Sequence, residues 1–322
     1  MKIFRSSHRP FGGHRPIVTI GNFDGVHRGH RAVLAQLRAL ALSEGQPAVV
    51  ICFEPQPREY FARPELLERI TPLDQKLSLL ADAGVDGVMV LRFDARFAAL
   101  SADAFIERHL VAQLAAGLVL VGDDFRFGHA RGGDFHLLST LGERCGFRVM
   151  CAPTHRIGHE RVSSTRVREA LRTGALDTAR LLLGRHYRIR GRVVMGDRIG
   201  RTLGFPTANL ALGAFRLPLE GIFTAWVDGL SADGSRHAAL AYVGKRPVVD
   251  GRRQVVEVHV IDWAGDCYGR KLTVTFGVRL RPDAAMKSLA ALVSRMHDDL
   301  RAARDWFTTH PRPDLMPSFP VA

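Results

Sequence analysis

"PIVTIGNFDGVHRGH", residues 16–30, runs from a β-branched stretch into glycines at 21, 25 and 29 and two histidines. The apolar stretch reads as a buried strand. After His27, Val33, Leu34, Leu37, Leu40 and Ala41 recur at helical spacing, so the glycine run joins a strand to a helix. Glycine there lets the backbone come close to a ligand. His27 and His30, three apart, share one face of the first helical turn. The unpaired amides of that turn and the positive end of the helix dipole suit a phosphate. Imidazole N–H groups beside them can donate to charge that builds on phosphate oxygens in a transition state. The plainer alternative is a capped helix with two solvated histidines. Zinc is disfavoured, because neither H-E-x-x-H nor a cysteine-rich neighbourhood is present.

Outward from this stretch the pattern repeats. "AVVICF", "DGVMVLRF", "LVLVGDDF" and "FRVMCAP" are further short apolar runs, and residues 101–115 carry Phe105, Leu110 and Leu114 at helical spacing. Strands alternating with helices predict a parallel α/β sheet that binds ligands beyond the carboxyl ends of its strands. No G-x-x-x-x-G-K-[ST] run exists, so a triphosphate is not held by a P-loop. "VGDDFRFGHARGGD" (121–134) offers Asp123, Asp124, Phe125, Arg126 and Phe127 among glycines, where aromatic rings can cover a flat ligand. "VSSTRVREAL" (162–171) places Ser164 and Thr165 before Arg166 and Arg168 at a helix start. The hydroxyls read equally well as an N-cap, whereas the arginine forks match phosphate oxygens.

After "LLLGRHYRIRG" the texture changes. "YRIRGRVV", "GIFTAWVDG", "HAALAYVG", "VVEVHVID" and "KLTVTFGVRL" alternate with period two between turn signals, which predicts an antiparallel barrel or sandwich. The boundary falls between Gly184 and Tyr187, giving domains over 1–184 and 187–322. A last helix is expected from Asp283 to Phe307, with Met286, Leu289, Leu292, Val293 and Met296 on one face, followed by a wandering tail with four prolines. "MGDRIGRTLGFPTANL" (195–210) spaces Gly196, Gly200 and Gly204 four apart. Pro206 then keeps the chain extended, so that Thr207 and Asn209 project from one side. A hydroxyl and an amide oxygen can serve Mg²⁺ and its phosphates; the alternative is a glycine-rich hairpin with an Asn turn. In "VVEVHVID", alternation sends the valines one way and Glu257 with His259 the other. A carboxylate there can take a proton from an attacking hydroxyl, or be an ordinary outward charge.

Composition sets bounds. The 322 residues are 46% apolar, enough for globular cores, and a charge of +13 raises polyanions as partners. The arginines are spread along the chain and no RNA-binding signature appears, so phosphorylated small molecules, not nucleic acid, are expected. No stretch of about 18 apolar residues occurs and the basic N terminus lacks a secretory apolar core. The four cysteines lack C-x-x-C spacing. A cytoplasmic protein without membrane association is expected, with weak self-association left open.

In this order and spacing, "GNFDGVHRGH", "FEPQP", "VGDDFRFG" and "VSSTRVREAL" resemble the adenylyltransferase half of the bifunctional bacterial riboflavin kinase/FAD synthetase family. "GDRIGRTLGFPTANL", "VEVHVID" and "CYGRKL" are similar to its flavokinase half. The resemblance covers about residues 16–305. It implies a Rossmann-like nucleotidyltransferase domain, with helices on both faces of a parallel sheet, followed by a six-stranded antiparallel β-barrel with a C-terminal helix. It also implies Mg²⁺ with ATP, and riboflavin and FMN as substrates. Gly21, Asn22, Phe23, His27, His30, Ser164, Thr165 and Arg166 would line the transferase ATP site, with Asp124, Phe125, Arg126 and Phe127 near its flavin. Gly196, Gly204, Thr207 and Asn209 would bind ATP in the kinase, the last two as metal ligands, with Glu257 as base; His27, His30 and Arg166 would stabilise charge in the transferase. Gln56, Tyr242, Val248 and Cys267 depart from the family's usual residues, and none has an assigned chemical role.

Overall fold

The computed structural model describes the chain except for residues 6–9, 62–67, 198, 214, 249–250 and 311–322, and only the backbone at 199, 246–248 and 251–253. The proline-bearing tail therefore lies outside the described residues. Residues to 163, other than 68–72, form one compact unit; residues 68–72 and those from 164 onward form another.

The first unit is built on six parallel strands, β1 (Lys2–Phe4), β2 (Ile17–Ile20), β3 (Ala48–Glu54), β4 (Gly87–Arg92), β5 (Leu118–Gly122) and β6 (Arg148–Ala152), in the order β1-β4-β3-β2-β5-β6. The helices are α1 (Arg28–Ser43), α2 (Pro57–Phe61), α3 (Leu73–Asp82), α4 (Ala95–Ala98), α5 (Ala102–Phe105) and α6 (Phe135–Cys145). A two-stranded ribbon, β7 (Arg156–Ile157) and β8 (Glu160–Arg161), follows the sheet. Both sheet faces are covered, as the continuous apolar runs require. Val18, Val49, Ile51 and Met89 pack with Phe105, Leu110 and Leu138, whereas Ile17, Val50, Cys52 and Val88 pack with Leu34, Leu37, Leu79 and Leu80. The order changes direction between β2 and β5, which is where sheets of this kind open a ligand crevice. The Gly21 and Gly122 loops leave the sheet there.

Two features differ from the sequence reading. β1 comes from the basic N terminus and pairs with β4, although its three residues carry too little pattern to be read. Residues 101–115 are not one regular helix: α5 continues as a π-helix over Ile106–Gln113. The wider turn brings Ile106, His109 and Leu110 together on the buried side.

The second unit opens with α7 (Ser164–Arg172) and α8 (Leu176–Leu183), which Gly184 ends in a left-handed conformation. Six antiparallel strands then close into a barrel: β9 (Arg188–Val194), β10 (Ala208–Ala211), β11 (Gly221–Asp228), β12 (His237–Val248), β13 (Gly251–Val260) and β14 (Lys271–Arg281), ordered β10-β13-β12-β11-β14-β9. The short helix α9 (Ile199–Thr202) lies between the first two strands, and α10 (Leu289–Thr309) follows the last. β9 pairs with both β10 and β14, which closes the ring, so the barrel and not the sandwich is the form adopted; Ile189, Val193, Phe223, Val256, Val258, Val274 and Phe276 are buried in it.

The change of sequence texture puts the domain boundary at Gly184–Tyr187. By contact, α7, α8 and residues 68–72 group with the barrel. Their bonds account for this: Arg172 donates to the Glu68 carboxylate at 2.7 and 2.9 Å, the Arg69 N–H to the Arg216 carbonyl at 2.8 Å, and the Tyr187 hydroxyl to the Ile70 carbonyl at 3.1 Å. The last helix also starts later than expected, at Leu289 and not Asp283. The Ser288 hydroxyl accepts the Ala291 N–H at 3.2 Å and caps it there. Met286 thus belongs to an irregular segment. Arg281 anchors α10 through a forked pair with Asp299 at 2.8–3.1 Å, both ends being largely buried. Removing one partner of a pair so enclosed costs about 3–5 kcal/mol.

Candidate active sites

At the end of β2 the Gly21 N–H donates to the Ile51 carbonyl at 3.0 Å, and the chain then turns sharply, with left-handed backbone at Phe23 (φ 48°) and Val26 (φ 39°). Such angles are costly for residues with a Cβ and concentrate at functional sites. The Phe23 ring is buried and meets His30 at 4.9 Å. His27 caps α1: its Nδ1 accepts the His30 N–H at 3.2 Å, which leaves Nε2 to carry the ring hydrogen. The two imidazoles stack 3.6 Å apart at 13°. His27 therefore stands at the cap and not within the first turn. His27 is buried and His30 half-buried.

On the same unit a cavity of about 650 Å³ is lined by Gly21, Asn22, Asp124, Phe125, Arg126 and Phe127 together with Phe53, Phe61, Phe93, Phe97 and Phe105. His27 and His30 are not part of its lining. Asn22 Oδ1 is buried with no hydrogen-bond partner among the described residues, an acceptor at the cavity wall. Phe125 and Phe127 stack at 5.3 Å and 15°. A Cβ at Gly133 would lie 2.6 Å from the Phe127 ring, so a bare glycine is what lets that ring fold in. Arg161 grips the Asp124 carboxylate with two bonds of 2.8 and 2.9 Å, and this pairing holds its carboxyl below the usual range. Arg126 pairs at 2.9 Å with Asp134, whose other oxygen caps α6.

Ser164, Thr165 and Arg166 form the first turn of α7, in the second unit. Arg168 is buried and its Nε donates to the Glu68 carbonyl at 3.2 Å, so that one of the two arginines holds the fold.

The barrel unit has a cleft of about 820 Å³ on the outer face of β11, β12 and β13, closed by residues 283–288 and α10. Thr207, Glu257 and His259 line it, with Tyr242, Arg281, Met286, Leu292 and Met296. β10 and β13 set Asn209 opposite Glu257. The Thr207 hydroxyl donates to Glu257 Oε2 at 3.3 Å. Its hydrogen so engaged, that oxygen keeps lone pairs for a cation or a donor. A Cβ at Gly196 would lie 2.4 Å from the Asn209 amide, so the missing side chain makes the niche that amide occupies. Gly204 turns with φ 82° between α9 and Phe205. His259 Nδ1 bonds the Pro206 carbonyl at 2.9 Å, and Tyr242 donates to Asp283 Oδ2 at 3.0 Å.

Comparison with known proteins agrees with both halves. The FAD synthetase family model matches residues 13–166 and the riboflavin kinase model residues 183–307. The bifunctional riboflavin kinase/FMN adenylyltransferase of Pseudomonas fluorescens is 45% identical over 94% of this chain and 97% of its own. The chain belongs to the bifunctional riboflavin kinase/FMN adenylyltransferase family. The Escherichia coli K12 member is also 45% identical, over 90% of this chain and 92% of its own. A crystal structure described as a macrolide-efflux protein from Streptococcus pneumoniae superposes with a TM-score of 0.79 at 28% identity, covering 95% of this chain and all of that one. Among the described residues of this family member, no helix is long and apolar enough to cross a membrane.

Of the departures from the family pattern, Gln56 is buried and its carbonyl accepts the Glu59 and Tyr60 N–H groups at the start of α2. Tyr242 joins the wall of the barrel cleft. Cys267 is half-buried, and loss of solvation pushes its thiol up. The Val248 side chain lies outside the described residues. Sequence reasoning missed the cavity roles of Phe53, Phe61, Phe93 and Phe97, although seven phenylalanines between 53 and 127 were a usable signal. It also missed the Tyr242–Asp283 bond, for which no local signal exists.

Proposed function

We propose that the protein carries out both reactions of its family, phosphorylation of riboflavin to FMN and adenylylation of FMN to FAD, with the residues assigned below. The observation that carries the reading is the Thr207–Glu257 hydrogen bond in the barrel cleft, with the Asn209 amide in the niche left by Gly196.

In the barrel, Glu257 takes the proton of the terminal ribityl hydroxyl as its oxygen attacks the γ-phosphorus of ATP, and ADP leaves. Thr207 keeps the carboxylate in place through its own hydroxyl hydrogen. Catalysis of this kind is mostly placement and charge neutralisation. Among the described residues no group of three or more His, Cys, Asp or Glu could hold a metal ion. The donor set instead fits Mg²⁺ arriving with ATP: a Thr207 oxygen with free lone pairs and an Asn209 carbonyl, both hard and neutral. When bound, Mg²⁺ neutralises charge on the phosphates. Gly196 and Gly204 let the intervening segment approach the nucleotide.

In the N-terminal half, an oxygen of the FMN phosphate attacks the α-phosphorus of ATP and pyrophosphate leaves; the attacking group is already an anion, so no base is needed. The stacked His27 and His30 offer ring N–H donors beside the amino end of α1, and Gly21, Asn22 and Phe23 form the turn that carries the nucleotide. Arg166, with Ser164 and Thr165, keeps its role in this reaction on the family resemblance. Phe125 and Phe127 provide stacked faces for the isoalloxazine, with Asp124 and Arg126 at its edge. We assign the adenylyltransferase to residues 1–184 and the kinase to 187–322. We also take the enzyme to be cytoplasmic, in keeping with four free cysteines.

Purified protein incubated with riboflavin, ATP and Mg²⁺ tests this directly. Chromatography over time should show FMN first and FAD after it. Absence of either product, with active flavin and ATP recovered unchanged, refutes the reading.

A further inference from the structure

We infer that His259 is a positioning residue of the kinase site: its imidazole holds the Phe205–Pro206–Thr207 run where Thr207 can serve the nucleotide. The inference rests on the kinase reading above.

The β10–β13 ladder begins only at Ala208, which faces Val258. Phe205, Pro206 and Thr207 precede it, and proline has no N–H with which to extend it. Side chains of β13 do so instead. Glu257 and His259 are two residues apart on one strand and so project from the same face, about 7 Å from each other along it. Glu257 accepts the Thr207 hydroxyl at 3.3 Å, and His259 Nδ1 lies 2.9 Å from the Pro206 carbonyl. A carbonyl only accepts, so Nδ1 carries the hydrogen, and it does so whether the ring is neutral or protonated.

Of the two bonds the threonine's, at 3.3 Å, is longer than the roughly 2.5–3.0 Å usual for O–H···O, and the histidine's, at 2.9 Å, is near the optimum. The better-made bond is thus the one that does not touch the reactive groups. The Phe205 ring, 3% exposed, packs against His259 at 5.3 Å and against His297 of α10 at 4.9 Å. The Phe205 N–H donates to the Gly200 carbonyl at 2.8 Å. Displacement of Pro206 therefore reaches both Thr207 and the glycine segment.

His259→Phe keeps a ring against Phe205 and removes the donor; His259→Asn places an amide nitrogen near the position of Nδ1. Both are assayed for riboflavin phosphorylation with ATP varied, beside Glu257→Gln. Adenylylation of supplied FMN by the same preparations, together with their thermal unfolding, reports folding. His259→Phe should raise the KM for ATP about tenfold, as expected when a carbonyl loses a good hydrogen bond, and His259→Asn should recover most of that loss. If Glu257→Gln is inactive while His259→Phe has the wild-type KM, the inference is wrong. Equal impairment of the Phe and Asn variants also overturns it, because the donor would then not matter. Wild-type phosphorylation by Glu257→Gln removes only Glu257 as the base, whereas failure of the unsubstituted protein to phosphorylate riboflavin removes the kinase reading and the inference with it.

Discussion

Gly196→Ala isolates one feature of the kinase site. The added Cβ would stand 2.4 Å from the Asn209 amide nitrogen and 2.7 Å from its oxygen, where ordinary contact is 3.4–4 Å. The amide must retreat by about 1 Å, and misplacement of that size at a reacting centre costs about 10²-fold in rate. Gly196 is not among the glycines with left-handed backbone, so alanine meets no conformational penalty. The obstacle is also the end of a side chain, which can swing away. Stability should accordingly change by less than about 1 kcal/mol, within the range of substitutions that create no cavity and bury no charge. Steady-state phosphorylation of riboflavin, with ATP and riboflavin varied separately, should show kcat/KM for ATP falling about 10²-fold, while adenylylation of supplied FMN and the unfolding temperature stay close to wild type. A variant with unaltered kcat/KM would refute the argument that Asn209 acts from this niche.

Glu257→Ala should abolish FMN formation and still convert supplied FMN to FAD, whereas His30→Ala should do the reverse, with a loss of about 10²–10³-fold in FAD formation; equal loss of both activities in either variant counts against separate sites. Tyr242→Phe removes the 3.0 Å bond to Asp283 at the wall of the barrel cleft and should raise the KM for riboflavin about threefold to tenfold, with an unchanged KM pointing to no contact with the flavin. Burial pushes the Cys52 thiol up to about 11 from 9.0. At pH 8 only about one such thiol in a thousand is ionised, so iodoacetamide on the native protein should modify exposed Cys145 and spare Cys52, as read by peptide mass spectrometry. Because the unfolded thiol ionises first, Cys52 favours the fold below about pH 9, and that contribution is lost as pH rises towards 11.

Much of the fold is written in short-range pattern. The five longer strands of the first unit follow from β-branched runs a few residues long, and five barrel strands from alternation, because pleat and helix impose periods of two and 3.6 wherever they occur. β10 shows where that stops: four residues after a proline carry too little alternation to be told from a loop. The late start of α10 is similar, since Met286 continues the apolar spacing of the helix but Ser288 caps it two residues further on.

The sites divide in the same way. The motif around His27 and His30, the Phe-Pro-Thr-Ala-Asn run and Glu257 were legible because each is contiguous and chemically distinctive. That His27 caps the helix with one ring nitrogen while stacking on His30 was not, because both facts depend on rotamers.

The amino-acid sequence determined by itself that a parallel α/β half precedes an antiparallel one, and that it carries the motifs of a bifunctional flavin-forming family. Only the tertiary structure decided which of those residues meet. Thr207 and Glu257 are fifty positions apart, and barrel register brings them to 3.3 Å; Tyr242 finds Asp283 across forty-one. Local pattern reports the environment of a residue, buried or exposed, bent or extended. The distance between remote side chains depends on strand pairing and closure, which are properties of the whole folded unit.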